Sequence, residues 1–112
     1  MKKVLFVCTA NLQRSPTAED IFQGWKGVWE AKSAGIMPEP GCNSLSQKLI
    51  DWADIIIAME TMHSQYIQTH FQRGTGKIQV LGIADRYFRS DPILKGELYK
   101  KVPPLLEKAE AT

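Results

Sequence analysis

Four apolar strand patterns alternating with helical patterns predict an α/β fold, a parallel sheet with helices packed on both faces. Two of the strand patterns, Lys3–Val7 and Ile55–Met59, are near-continuous apolar runs, as strands covered on both sides require. Gly35, Pro38, Pro40 and Gly41, and later Gly74 and Gly76, fall between patterns and mark the breaks.

Taken in order, Lys3–Val7 is the first strand. A helix from Pro16 to about Lys26 follows, with Ala18, Ile21, Phe22 and Trp25 at i, i+3, i+4 and i+7 and Glu19, Asp20 and Gln23 opposite. Gly24 and Gly27 loosen its end. Val28–Ser33 sets Val28, Glu30 and Lys32 against Trp29, Ala31 and Ser33, two faces of different polarity, as an edge strand would. The Gly35–Asn43 stretch, with Gly35, Pro38, Pro40 and Gly41, is a loop. Ser44 or Ser46 caps a short helix that presents Leu45, Leu49 and Trp52, and Ile55–Met59 is the next strand. Thr61 is positioned to cap a helix carrying Met62, Tyr66, Ile67 and Phe71, ended by Gly74 and Gly76. Ile78–Gly82 is the fourth strand, and a last helix carries Leu94, Leu98 and Val102. Pro103 and Pro104 are expected to stop that helix near Lys101, with a short helical turn after them. The expected architecture has three layers, with a four-stranded parallel sheet in the flavodoxin-like order 2-1-3-4.

At 112 residues the chain makes one domain, 1–112, because two would leave neither half a workable core. A net charge of +2 gives no general attraction to nucleic acid or anionic membranes, so neither is expected as a partner. The apolar run behind Lys2 and Lys3 is too short for a signal peptide or a membrane span. Two cysteines without a secretory signal suggest a reducing compartment, and a cytoplasmic location is expected. Cys8 and Cys42 lack zinc-site spacing, and His63 and His70 fall on a helical pattern without acidic or thiol companions. The histidines are therefore expected to be surface or packed residues, with no metal and no cofactor. Trp25, Trp29 and Trp52 are read as core or edge packing.

Cys8 ends the first strand, and Arg14, Ser15 and Pro16 follow at the handover to the first helix. Five intervening residues can wrap backbone N–H groups around a tetrahedral anion, and the helix N-terminus favours negative charge at the same place. A thiol beside a cation at a helix N-terminus is set up to act as a thiolate nucleophile. Between the fourth strand and the last helix lies Asp85-Arg86-Tyr87-Phe88-Arg89-Ser90-Asp91-Pro92, a loop leaving the same carboxyl edge of the sheet. A thiolate that displaces a phosphoryl group from oxygen needs the leaving oxygen protonated, which a carboxylic acid can do. Asp91, fixed on one side by Pro92, is the preferred acid and Asp85 the second. Asp91 followed by Pro92 is equally the pattern of a helix N-cap. Tyr87 and Phe88 can form an aromatic wall for a flat leaving group, or simply pack on the core.

These residues resemble the low-molecular-weight protein tyrosine phosphatases over most of the chain. The resemblance is carried by Cys8-Thr9-Ala10-Asn11-Leu12-Gln13-Arg14-Ser15-Pro16-Thr17-Ala18-Glu19, by Ser33-Ala34-Gly35, by Ala53-Asp54-Ile55-Ile56-Ile57-Ala58-Met59 and by Asp91-Pro92. It implies a P-loop with Cys8 as nucleophile, and phosphate held by Arg14 and the backbone of Thr9, Ala10, Asn11, Leu12, Gln13, Arg14 and Ser15. It further implies that Ser15 donates to the thiolate, that Asn11 holds the strained loop in contact with Ser33, and that Asp91 is acid and then base. The implied activity is hydrolysis of phosphate monoesters, phosphotyrosine in proteins foremost, through a phosphocysteine intermediate, with phosphorylated proteins or small aryl phosphates as partners and inorganic phosphate or a similar oxyanion in the loop. The chain departs from the family pattern in three ways. It is short, Gln13 stands where many members carry a second cysteine, and the aromatics precede Asp91 instead of following Pro92. Two other readings compete: an arsenate reductase of the same fold with Cys42 resolving the intermediate, and a non-catalytic phosphate- or phosphopeptide-binding module.

Overall fold

The protein is described by a computed structural model over residues 1–111. Its elements run β1 (Lys2–Cys8), α1 (Arg14–Phe22), β2 (Trp29–Gly35), α2 (Gln47–Trp52), β3 (Ile55–Ala58), α3 (Thr61–His70), β4 (Ile78–Val80) and α4 (Pro92–Glu110). The four strands form one parallel sheet in the order β2-β1-β3-β4, so the expected three-layer order 2-1-3-4 holds and β2 is an edge.

Alternation along β1 divides the core into two halves. Val4, Phe6 and Cys8 point into the layer made by α1 and α4, where Ala18, Phe22, Leu94, Leu98, Val102 and Leu106 are buried with them. Leu5 and Val7 face the other layer, with Ile50 of α2 and Ile67 of α3. Trp29 is fully buried at the start of β2, and its indole N–H donates to Glu110 at 3.0 Å, a satisfied polar handle on a large apolar body.

The structure departs from the sequence expectations in its strand ends, β2 running to Gly35 rather than Ser33 and β4 stopping at Val80 rather than Gly82, and it settles or corrects the helices. Helix α1 stops at Phe22, because Gly24 takes a φ of 76° and the chain continues as a short 3-10 turn, Trp25–Gly27. Ser46, not Ser44, caps α2 by accepting from the Leu49 N–H at 3.2 Å, and Ile50 is the side chain it buries. Helix α3 is capped by Glu60, with Thr61 as its first residue; Met62 is 50 % exposed and His63 takes the buried side. Helix α4 runs unbroken through Pro103 and Pro104. Each proline removes one intrahelical N–H donor, but the buried stripe Leu94, Leu98, Val102, Leu106 continues past them, with Leu105 and Ala109 packed on the same core. Burial outweighs the two missing bonds. Among the described residues no helix is long and apolar enough to cross a membrane.

If packing carries α4 beyond its prolines, Leu106→Ala should destabilise the protein by about 2–5 kcal/mol in urea denaturation, as for other buried leucines. A near-neutral result would mean that the helix effectively ends before Pro103.

Candidate active site

Cys8 is the last residue of β1 and pairs with Gly35 of β2. The carbonyls of Cys8, Thr9 and Ala10 accept from the N–H groups of Ile36 (3.1 Å), Met37 (2.8 Å) and Glu39 (3.1 Å). A trans peptide points its C=O and N–H in opposite directions, so tying these carbonyls to the 36–39 segment turns the N–H groups of Thr9, Ala10 and Asn11 the other way, into the loop. Gly35 makes this approach possible: a Cβ there would sit 2.6 Å from the Thr9 carbonyl oxygen and 2.8 Å from the Asn11 nitrogen. The Ser33-Ala34-Gly35 segment therefore supports the loop through its backbone as well as its serine.

Asn11 occupies the left-handed region with φ 55°, uncommon outside glycine. Its carboxamide donates to Ser15 Oγ and to Ser33 Oγ, each at 2.9 Å, and accepts from the Asn43 N–H at 2.8 Å. The direction of every proton follows. Ser33 accepts from Asn11 and gives its own hydrogen to Glu19 Oε1 at 2.6 Å. Ser15 accepts from Asn11, which leaves its hydrogen for Cys8 Sγ, 2.9 Å away. The Ser15 hydroxyl is thus aimed at the sulfur.

Arg14 is 1 % exposed. One of its nitrogens, Nη1, donates to Glu60 Oε2 at 2.6 Å and to the Ile83 carbonyl at 2.8 Å; Nη2 faces Thr9 Oγ1 at 3.5 Å and Asp85 Oδ2 at 3.8 Å. Glu60 and His63 were not anticipated at the site. The Glu60 carboxylate caps α3 while the Glu60 N–H donates to His63 Nδ1 at 3.0 Å. That bond fixes the tautomer: the ring proton is on Nε2 and is donated to Thr9 Oγ1 at 2.9 Å. Burial, then the nearby Arg14 charge, push the His63 pKa down to about 4, against the opposing pull of Glu60 and Asp85. The signal available in the sequence was the position of Glu60-Thr61-Met62-His63 directly after a buried parallel strand, at the carboxyl edge where such folds bind ligands.

The two candidate acids part company. Asp85 lies with Cys8, Ala10, Leu12, Gln13 and Arg14 around a cavity of about 20 Å³, and its side chain is 64 % exposed. Asp91 instead caps α4: its Oδ1 accepts from the Ile93 N–H at 2.8 Å, with Pro92 at the first helical position. Tyr87 packs partly on the α1 and α4 core, with the Arg86 guanidinium 5.4 Å above its ring, while Phe88 is 77 % exposed. Cys42 is a partly buried free thiol that lines a different cavity, with Asn11, Pro16, Glu19, Ser33, Gly41, Asn43 and Arg89.

The sequence profile of the low-molecular-weight phosphotyrosine protein phosphatases matches residues 3–44, the span from β1 through the loop, α1 and β2 to Asn43 and Ser44. The low-molecular-weight protein tyrosine phosphatase of T. tengcongensis has the same fold along the whole of both chains, with a TM-score of 0.74 and 25% identity. Over that span, and in its fold as a whole, this chain is similar to that family. A second member, the low-molecular-weight protein tyrosine phosphatase of Bacillus subtilis, superposes with a TM-score of 0.72 at 26% identity, covering 96% of this chain and 95% of that one. The protein-arginine-phosphatase of Bacillus subtilis is 28% identical in an alignment that covers 70% of this chain and 69% of that protein.

Because His63 has a lower pKa folded than its ordinary 6.5, the unfolded chain takes up a proton between pH 6.5 and 4 that the native protein does not. Stability should therefore fall as pH drops through that window, and His63→Asn should lessen the slope. Urea denaturation at a series of pH values checks this, and parallel curves for the two proteins would contradict it. In the same assay Gly35→Ala should destabilise the protein, since the nearest atoms are backbone and cannot yield cheaply.

Proposed function

We propose that this phosphatase hydrolyses aryl phosphate monoesters, phosphotyrosine in proteins foremost, with Cys8 as nucleophile. The observation that carries the reading is the ordered chain of donors from Asn11 to Ser15 to Cys8 Sγ inside a loop whose peptide N–H groups turn inward. The Cys8 thiolate attacks phosphorus as the P–O ester bond breaks, and the leaving oxygen takes a proton from Asp85. Water then attacks the phosphocysteine and gives its proton to the Asp85 carboxylate; the P–S bond breaks, freeing inorganic phosphate and the thiolate. Arg14 and the loop N–H groups stabilise the charge on the equatorial oxygens. Asp85 suits the acid role better than Asp91, which is engaged as a helix cap and does not line the cavity.

Leu12, 44 % exposed on the loop and lining the cavity, gives the mouth an apolar rim that suits an aromatic ring. A second reading, phosphoarginine in proteins, is favoured by the Bacillus relative and by the exposed Asp85 carboxylate, which could meet a guanidinium. The arsenate-reductase reading is less supported, because Cys42 lines a cavity other than the one that Cys8 lines. The binding-module reading is less supported because a carboxylate does border the loop. A cytoplasmic location belongs to this proposal and is supported by a nucleophile that must stay reduced.

Hydrolysis of an aryl phosphate, a phosphotyrosine peptide and a phosphoarginine peptide tests the reading. Cys8→Ser should abolish turnover of all three. Asp85→Asn should lower kcat by about 10²–10⁴-fold, whereas Asp91→Asn should cost stability of about 1 kcal/mol and leave kcat within a few-fold. The opposite order would return the acid role to Asp91, and a preference for the phosphoarginine peptide would replace the substrate assignment.

A further inference from the structure

The segment that carries Asp85 is fastened at both ends. At its front, the Ile83 carbonyl accepts from Arg14, and Asp85 itself lies 3.8 Å from the same guanidinium. At its rear, three side chains of the first helical stretch grip two consecutive residues. The Gln13 side-chain oxygen accepts from the Arg89 N–H, and Thr17 Oγ1 accepts from the Ser90 N–H at 2.9 Å. Asp20 receives the Arg89 guanidinium at 3.0 and 3.3 Å. Positions 13, 17 and 20 are i, i+4 and i+7, one face of a helix, so the grip is built into the periodicity of α1.

Two details show that this end is held in place rather than lying passively on the surface. Gln13 stands at the N-cap position of α1, yet its side chain caps nothing in that helix; it reaches across to the other loop. Ser90 has φ 65°, a conformation that costs a non-glycine residue free energy and persists only where neighbours impose it. The Thr17 hydroxyl has both roles filled, donating to the Gln13 carbonyl at 2.7 Å while accepting from Ser90.

We propose that Gln13 is a positioning residue for the reaction: its carboxamide, with the Thr17 hydroxyl, fixes the rear of the 84–90 segment on α1 and thereby holds Asp85 over Cys8. This rests on Asp85 being the acid. The side chain that replaces a second loop cysteine thus serves geometry where a thiol would serve redox chemistry.

Proton donation matters when the departing phenol is a poor leaving group and hardly at all when it leaves readily as phenolate. Gln13→Met keeps the length and removes the acceptor. It should lose about ten- to a hundredfold in kcat/KM on an aryl phosphate with a poor leaving group and less than threefold on one with a good leaving group, at an unchanged thermal midpoint. Thr17→Val should give the same dependence on leaving group, together with a lowered thermal midpoint because both bonds of its buried hydroxyl are lost. In an Asp85→Asn background, Gln13→Met should cost nothing further. Equal losses on both substrates, or a loss that multiplies in full with that of Asp85→Asn, would overturn the role of Gln13 and leave Asp85 standing. If Asp85→Asn, with Gln13 intact, keeps the wild-type ratio between the substrates, the acid assignment fails and this role falls with it.

Discussion

Asn11 uses every hydrogen-bonding group of its carboxamide, two N–H donors and one oxygen, to join three parts of the chain: the start of α1 at Ser15, strand β2 at Ser33 and the loop before α2 at Asn43. The left-handed backbone at Asn11 needs these bonds, since a free loop would relax to a commoner conformation. In return the strain turns the polypeptide sharply between strand and helix, and the peptide planes before it face their N–H groups inward. Because each of the three partners lies on a different element, the loop keeps its shape only if the sheet, α1 and the 36–43 segment are all in place. The site depends on the whole of one sheet edge and not on a motif in isolation.

The same bonds set the chemistry. Asn11 can only donate through its nitrogen, so both serines must accept from it, and each then has one hydrogen to give elsewhere. For Ser33 that hydrogen goes to Glu19, which ends the network in a carboxylate; for Ser15 it goes to sulfur. The hydrogen aimed at Cys8 Sγ is in this sense placed by a side chain that does not touch the sulfur. Replacing Asn11 by aspartate would keep the size but reverse the polarity of two of the three bonds and remove the reason for the Ser15 hydroxyl to face the thiol.

Much of this could be read in the sequence because it is local. Cys8, Asn11, Arg14 and Ser15 lie within eight residues, and the strand on one side and helix on the other fix their relative placement. Ser33 was legible as the end of the neighbouring strand, whereas Gly35, read as the start of the loop, closes that strand opposite Cys8. Glu60 and His63 were not, because their bonds to Arg14 and Thr9 span 46 and 54 residues and no periodicity encodes them. The choice between Asp85 and Asp91 was open for a different reason: one dipeptide, Asp91-Pro92, fits both an acid loop and a helix cap, and the cap became visible only in the Ile93 N–H bond. Pro103 and Pro104 misled because the rule that prolines stop helices describes local cost, whereas Leu105, Leu106 and Ala109 supply burial after them.

Arg14 brings these levels together. A buried guanidinium without a partner would be strongly unfavourable, so the fold must neutralise it before any substrate arrives. Glu60 does this at 2.6 Å from a helix cap position, where its own backbone is pinned by His63. Asp85 adds only a loose contact at 3.8 Å from an exposed side chain. The two carboxylates therefore differ in what they can do when a phosphoryl group approaches. The Glu60 pair is part of the scaffold and keeps the arginine fork oriented, which under the proposed mechanism leaves little to reorganise as charge develops. Under the proposed mechanism Asp85, exposed and only loosely paired, is the carboxylate left for the leaving group, while Glu60 stays with Arg14.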